Sequence, residues 1–293
     1  MDNKAPGKDI TAEDLVSKFP LAAKKSPDHR SVFEVAGVPF GTDLIPVFAG
    51  PNTVENRAQI IEIAHAVKAR GAHFLRGGAF KPLTFPGRSA KYFELREEGL
   101  TYLAEAKAAS GLPVITEVME EGKIEAVAEV ADILQIGSRN MQNFPLLTRA
   151  AKTGKPIMLK RHFGCSLRDW LGAAEYILVE GNEKVILCER GVSVPHTHRS
   201  SSRFLLDLQV VPAAHEVTHL PVVTDPSHAT FWAPWVEPMT LASIAAGADG
   251  IMLEVHPDPR HAAVDPLQPI DYEEFGALMD KMRKVAAAIG RKI

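Results

Sequence analysis

Asn52, Arg76, Lys81, Glu117, Arg139, Lys160, Arg161, Glu189, Arg190, Asp225, His228, Glu254 and His256 share one trait. Each stands at or just beyond the C-terminal end of a short apolar run. Residues that only finish such a run and pack are mostly small or apolar, so a polar, cation-rich set needs a reason. Arg76, Lys81, Arg139, Lys160 and Arg190, gathered in one place, would repel one another unless an anion bound between them. Guanidinium forks suit carboxylate and phosphate, and an ammonium adds a compact charge. The implied ligand is a small polyanion carrying both groups. The plainer alternative pairs each cation with a neighbouring acid or lets its stem carry it to solvent. That account is easier to accept for one such residue than for all of them together.

A second group has metal-ligand character: His228, Glu254 and, in the loop beyond, Asp265. One imidazole and two carboxylates suit manganese, iron(II) or zinc. Hydrogen bonding is the alternative for the histidine. Glu117 and Asp225 either orient water and cations or support residues that do.

These side chains need elements to position them. The apolar runs are 45–50, 73–78, 113–118, 132–138, 156–161, 185–191, 221–228 and 250–256. Their β-branched and aliphatic content predicts strands covered on both faces. Between them lie helical patterns, among them 55–71, 93–111 with Gly111 as its stop, and 271–290 opening on Asp271. Strand–helix units in series predict a closed (β/α)₈ barrel of α/β class, with active groups at the C-terminal strand ends. The rival is an open doubly wound sheet, but the chain has no GxGxxG turn. Residues 31–48 read as an N-terminal β-hairpin around Gly-Val-Pro, leading into the first barrel strand. The expected division is a polar, loosely ordered extension over 1–30, with a short helix around 11–18, and one barrel domain over 31–293.

Composition bounds the partners. The chain has 293 residues, 46% hydrophobic and 24% charged, the balance of a water-soluble domain large enough to bury its own core. A net charge of −3 gives no general field for nucleic acid or an anionic membrane. Two cysteines, Cys165 and Cys188, fit a reducing cytoplasm. No apolar stretch suits a membrane helix, and the charged start lacks the apolar core of a secretory signal.

The longer motifs point to a family. GGAFKP (77–82), GLPVITEVM (111–119), DILQIGSRNMQNF (132–144), GKPIMLKR (154–161), VILCERG (185–191), HLPVVTDPSHAT (219–230) and ADGIMLEVHPDP (248–259) resemble 3-deoxy-heptulosonate-7-phosphate (DAHP) synthases. The likeness is to the short microbial subclass that also resembles 3-deoxy-octulosonate-8-phosphate (KDO8P) synthases. It implies a transferase that joins phosphoenolpyruvate to an aldose phosphate with loss of phosphate, as in aromatic amino acid biosynthesis. It further implies a cytoplasmic homodimer or homotetramer. By motif, Arg139, Lys160 and Arg190 correspond to ligands of the phosphoenolpyruvate phosphate. Arg76 and Lys81 correspond to partners near its carboxylate, with Lys81 a candidate proton donor. Glu117 corresponds to the acid that holds an active-site water, and His228, Glu254 and Asp265 to three of four metal ligands. Thr84 and Arg203 are retained substrate-binding positions.

Two departures matter. Metal-dependent members read AGPCSVE, whereas this chain reads AGPNTVE, with Asn52 in the cysteine position. An amide lacks the charge and softness of a thiolate, and metal-independent KDO8P synthases carry asparagine there. The expectation is therefore no obligatory metal, with Asn52 a candidate to hold a catalytic water. The other departure is KPLTFPGRSAKYF (81–93), where Leu83 replaces an arginine that helps recognise the acceptor phosphate in DAHP synthases. Arg88, Lys91 and Arg96 are the nearby cations. The segment GVSVPHTHRSSSR (191–203) is also atypical. Its His196, His198 and Arg199 are candidate contacts to an unusual acceptor, and His196 with His198 a less favoured metal pair. Three readings stand: a true DAHP synthase, the same chemistry on a different aldehyde, or a non-catalytic barrel that binds a phosphometabolite.

Overall fold

The computed structural model describes residues 16–81, 94–196, 198–200 and 203–293. Thr84, Leu83, Arg88 and Lys91 lie outside the described residues. A hairpin of β1 (Phe33–Val35) and β2 (Val38–Phe40) precedes the barrel strands β3 (Val47–Gly50), β4 (Phe74–Arg76), β5 (Val114–Val118), β6 (Ile133–Ile136), β7 (Ile157–Lys160) and β8 (Val185–Glu189). A ribbon of β9 (Val192–Ser193) and β10 (Phe204–Leu205) follows, then β11 (Val222–Thr224) and β12 (Gly250–Glu254). The order β11-β12-β3-β4-β5-β6-β7-β8 closes on itself, all parallel. The open-sheet alternative is excluded, and the (β/α)₈ expectation holds.

Helices α1 (Arg57–Ala69), α2 (Arg96–Ser110), α3 (Ile124–Val130), α4 (Phe144–Ala151), α5 (Leu167–Leu178), α6 (Val210–Val217), α7 (Pro226–Thr230), α8 (Ala233–Ala245) and α9 (Tyr272–Ala288) fill the intervals. Their ends obey local chemistry. The Asn56 side chain accepts from the Gln59 amide, Gly111 stops α2 at φ 71°, and Asp271 with Glu274 forms a capping box. Apolar stripes such as Ile60, Ile63, Ala64 and Val67 of α1 turn onto the outside of the barrel.

The barrel interior is a separate core. Phe48, Phe74, Ile115, Ile133, Met158, Ile186, Val223 and Met252 meet there, one from each barrel strand. Val35 and Phe40 of the hairpin close its base, with the Phe40 ring 5.8 Å from Phe74. The hairpin turns at Ala36 and Gly37, both at positive φ (48° and 83°). Gly-Val-Pro is therefore not the turn. Val38 and Pro39 belong to β2, because a two-residue turn with left-handed residues matches strand twist. Nor is residues 16–30 a loose extension. Phe19, Ala22 and Ala23 are buried, and the Leu21 and Ala22 amides donate to Glu175 Oε1 of α5 (2.9 and 2.6 Å). Residues 16–18 are helical; the rest of the predicted 11–18 helix lies outside the described residues.

Candidate active site

Strand parity builds the site. Side chains alternate across a strand, so two residues beyond each inward apolar residue the chain faces inward again, one layer higher. Two past Phe74 is Arg76, two past Ile115 is Glu117, two past Ile133 is Gln135 and two past Met158 is Lys160. Two past Val223 is Asp225 and two past Met252 is Glu254. The same rule brings Arg190 in beyond Cys188. It sends Arg161 and Glu189 to the outer face, where they do not join the mouth.

Lys81, Glu117, Gln135, Arg139, Lys160, Arg190, Arg203 and His228 line one cavity at this end, with Phe163 and Phe204 as apolar walls. Four of the five cations read from the sequence thus share a cavity. Arg76 sits beneath it, its Nη1 3.2 Å from Glu254 Oε1, and Lys160 Nζ lies 2.6 Å from Asp225 Oδ2. For these two the plainer reading, pairing with an acid, is part of the truth. Arg190 lies over the Phe204 ring at 4.3 Å, and burial pulls its pKa down, as it does for Lys81. A cation so placed gains from an anion what it has lost from water.

Glu117 is aimed by two neighbours. Gln135 Nε2 donates to its Oε2 at 3.2 Å, and Gly137 leaves room for the carboxylate. A Cβ on Gly137 would stand 1.9 Å from Glu117 Oε1.

His228 lies between two fully buried acids, Nδ1 2.8 Å from Asp225 Oδ2 and Nε2 3.1 Å from Glu254 Oε1. Burial, reinforced by Lys160 and Arg76, drives the imidazole well below its ordinary pKa, so it is neutral at pH 7. Burial works against ionisation of Asp225, but His228, Lys160 and Arg76 outweigh it and hold the carboxyl well down. Burial raises Glu254 despite Arg76.

The candidate metal ligands are engaged with one another. Asn52 Nδ2 donates to Asp265 Oδ2 (3.0 Å), Gln268 Nε2 donates to Glu254 Oε2 (2.7 Å), and His228 spans Asp225 and Glu254. Among the described residues no three His, Cys, Asp or Glu side chains converge as a cation site. Asn52 Oδ1 is buried without a hydrogen-bond donor, which leaves an acceptor for a water or a substrate hydroxyl.

On the outer face, Arg161 ties the loops that carry two of the cations. Its Nη1 meets Glu189 Oε2 at 3.0 Å and Asp207 Oδ2 at 2.8 Å, and its Nε donates to the Cys165 carbonyl. Asp207 Oδ1 in turn accepts from the Val210 amide at the start of α6. Glu189 Oε1 accepts from the Gly191 amide. Arg190 and Arg203 are thereby held at fixed ends of one clamped segment. Glu55 does the same for the loop with Asp265, accepting from the Ala263 amide (2.9 Å) and lying 3.2 Å from His256 Nε2. His256 is thus a positioning residue rather than a lining one. Thr84 lies outside the described residues, and His196 and His198 line a separate apolar cavity beside the mouth.

Sequence reasoning missed Gln135, Gln268 and Phe204. Parity would have found Gln135, a polar residue on the inward register of an aliphatic strand. Gln268 and Phe204 lie in loop and ribbon positions with no periodic signal.

An eight-stranded barrel with a cationic cavity at its C-terminal end defines a class, the barrel enzymes that act on small anionic substrates. The family model described as "DAHP synthetase I family" matches residues 19–289, and the chain belongs to that family. It is 40% identical over 279 residues to a phospho-2-dehydro-3-deoxyheptonate aldolase of Thermotoga maritima, covering 95% of this chain and 81% of that protein. It is 29% identical to a 2-dehydro-3-deoxyphosphooctonate aldolase of Syntrophobacter fumaroxidans, covering 85% and 90%. The crystal structure of the Thermotoga maritima DAHP synthase superposes with a TM-score of 0.86 at 42% identity, covering 93% of this chain and 77% of that one. A truncated form of the Thermotoga maritima synthase gives 0.85 at 41% identity, covering 94% and 99%. The resemblance read from the motifs is upheld, and the chain is an enzyme of this aldolase-type transferase family. No helix among the described residues is long and apolar enough to cross a membrane.

Proposed function

We propose that the chain condenses phosphoenolpyruvate with an aldehyde, releasing inorganic phosphate, and that it does so without an obligatory metal. The observation that carries this reading is the cavity that Lys81, Arg139, Lys160 and Arg190 line together with Glu117. Arg139, Lys160 and Arg190 hold the phosphate, and Arg76 and Lys81 face the carboxylate. Carbon 3 of phosphoenolpyruvate attacks the aldehyde carbon, forming the carbon–carbon bond and an alkoxide. Lys81, its pKa lowered by burial, supplies the proton to that alkoxide. Water held by Glu117 adds to carbon 2. The bond from carbon 2 to the phosphate oxygen then breaks, and the cations stabilise the departing phosphate. Neutral His228 and the open acceptor of Asn52 orient the acceptor and water. Thr84 and Arg203 complete substrate binding.

Absence of a metal requirement is supported by Asn52, whose amide donates to Asp265 where a thiolate would be a ligand. A cytoplasmic homo-oligomer is the assembly that the family likeness favours. The test is phosphate release from phosphoenolpyruvate with a panel of aldehydes that includes erythrose 4-phosphate, with and without EDTA. The rate is expected to be the same in both. Loss in EDTA with recovery in manganese would return Glu254, His228 and Asp265 to the role of ligands.

A further inference from the structure

Val194, His196 and His198, which follow β8, contribute to a second cavity. The cavity among the cations is about 60 Å³. Beside it lies one of about 370 Å³, lined by Val194, Leu206, Ala229, Trp235 and Met239 among others. At the roughly 30 Å³ that a water occupies in the liquid, this is room for about a dozen non-hydrogen atoms.

The two cavities share walls. Phe204 lines both. One face of α7 presents His228 to the mouth, while Ala229 and Thr230 of the same helix line the apolar cavity. Phe204 is seated on Gly191 and Ala229, since a Cβ on Gly191 would meet the Phe204 Cβ at 2.7 Å and the Ala229 Cα at 3.0 Å. It also carries the Arg190 guanidinium at 4.3 Å. An occupant of the apolar cavity is therefore one side chain away from the reacting groups.

The lining also says what the occupant is. Among the described residues no carboxylate, lysine or arginine lines the cavity, and its polar contributions are the imidazoles of His196 and His198 and the Thr230 hydroxyl. A phosphate placed there would lose its hydration without gaining a cation. Trp235 contributes a ring, with His198 edge-on to it at 6.3 Å, and Phe204 contributes another. Aromatic walls favour a flat, weakly polar body.

We infer that this cavity receives the body of the acceptor, an aldehyde bearing a flat, weakly polar ring in place of a terminal phosphate. The inference rests on the condensation proposed above and names its substrate class.

The probes are 3-phenylpropanal, its unreactive alcohol 3-phenylpropanol, and erythrose 4-phosphate, with the full chain saturated with phosphoenolpyruvate. Met239→Trp fills the cavity, and Leu205→Asp places a charge at its exposed edge, where folding is not at risk. Saturation-transfer NMR is expected to show saturable binding of 3-phenylpropanol, weakened at least tenfold in both variants. The KM for 3-phenylpropanal in phosphate release should rise by a similar factor. Calorimetric binding of phosphoenolpyruvate, which also reports folding, should stay within twofold. Absence of saturable phenylpropanol binding, or binding unchanged in both variants, overturns the inference. In that event phosphoenolpyruvate binding and phosphate release with erythrose 4-phosphate would leave the condensation itself standing. Failure to bind phosphoenolpyruvate would remove both.

Discussion

At the residue scale, the site depends on a few atoms being where strand parity puts them. Gly137→Ala forces the Glu117 carboxylate away, because the new Cβ would stand 1.9 Å from Oε1. Relieving that contact needs a shift of about 1 Å, and a misplacement of about 1 Å at a catalytic group costs roughly 100-fold in rate. Steady-state phosphate release should show a fall of that order in kcat, with phosphoenolpyruvate affinity little changed, since Glu117 is proposed to act on water. Lys160→Ala has a different signature. It removes a phosphate contact and leaves Asp225, 2.6 Å away and fully buried, without its ammonium. Phosphoenolpyruvate binding should fall at least tenfold, and stability by about 3–5 kcal/mol in chemical denaturation. The cationic residues were legible in the sequence because each ends an apolar run. Which of them face the mouth was legible only through parity, which is why Arg161 and Glu189 stood in the same set as Lys160 and Arg190. The pairing of Arg76 with Glu254 was not legible, since it joins strands that are distant in sequence.

At the element scale, Arg161 holds the segment from β8 to α6 against the barrel. Removing its charge in Arg161→Met frees Asp207 and leaves Glu189 buried and unpaired. Burial alone already raises the Glu189 carboxyl. The expected result is a loss of about 3–5 kcal/mol and a higher KM for phosphoenolpyruvate, because Arg190 and Arg203 lose their anchor. An unchanged KM would separate the clamp from binding. At the barrel base, Asp249 joins three elements. Its Oδ2 accepts from the Val222 amide (2.9 Å) and meets His215 Nε2 (2.7 Å), and Arg291 lies 3.4 Å from Oδ1. Burial pushes this carboxyl up, but these partners outweigh it and hold it below its ordinary range. A carboxylate whose pKa is lowered by folding contributes stability above its unfolded pKa, about 4, and loses it as pH falls through the lower folded value. Melting temperatures of wild type and Asp249→Asn should differ most near neutral pH and converge in acid. A gap that stays constant with pH would contradict this. The helix ends were legible from caps and stops, as at Gly111 and Asp271. The hairpin turn was not, because Ala36 carries no turn signature and takes its positive φ from strand pairing.

At the scale of the whole molecule, a chain of net charge −3 concentrates positive charge at one end of a barrel whose other end is plugged by phenylalanines. The fold follows from the series of buried strands and amphipathic helices, and its class was legible throughout. The cationic end of the site was legible for the same reason. The apolar cavity was legible only in part: His196 and His198 stand out in the sequence, but Phe204, Trp235 and Met239 lie on β10 and α8, where neither periodicity nor motif marks a cavity. The central claim is that the clustered cations bind phosphoenolpyruvate. Calorimetric titration of phosphoenolpyruvate into the metal-stripped protein tests it most directly. One site per chain is expected, with affinity lowered at least tenfold in Arg139→Ala and in Arg190→Ala. No heat of binding in wild type, or equal affinity in both variants, would contradict it.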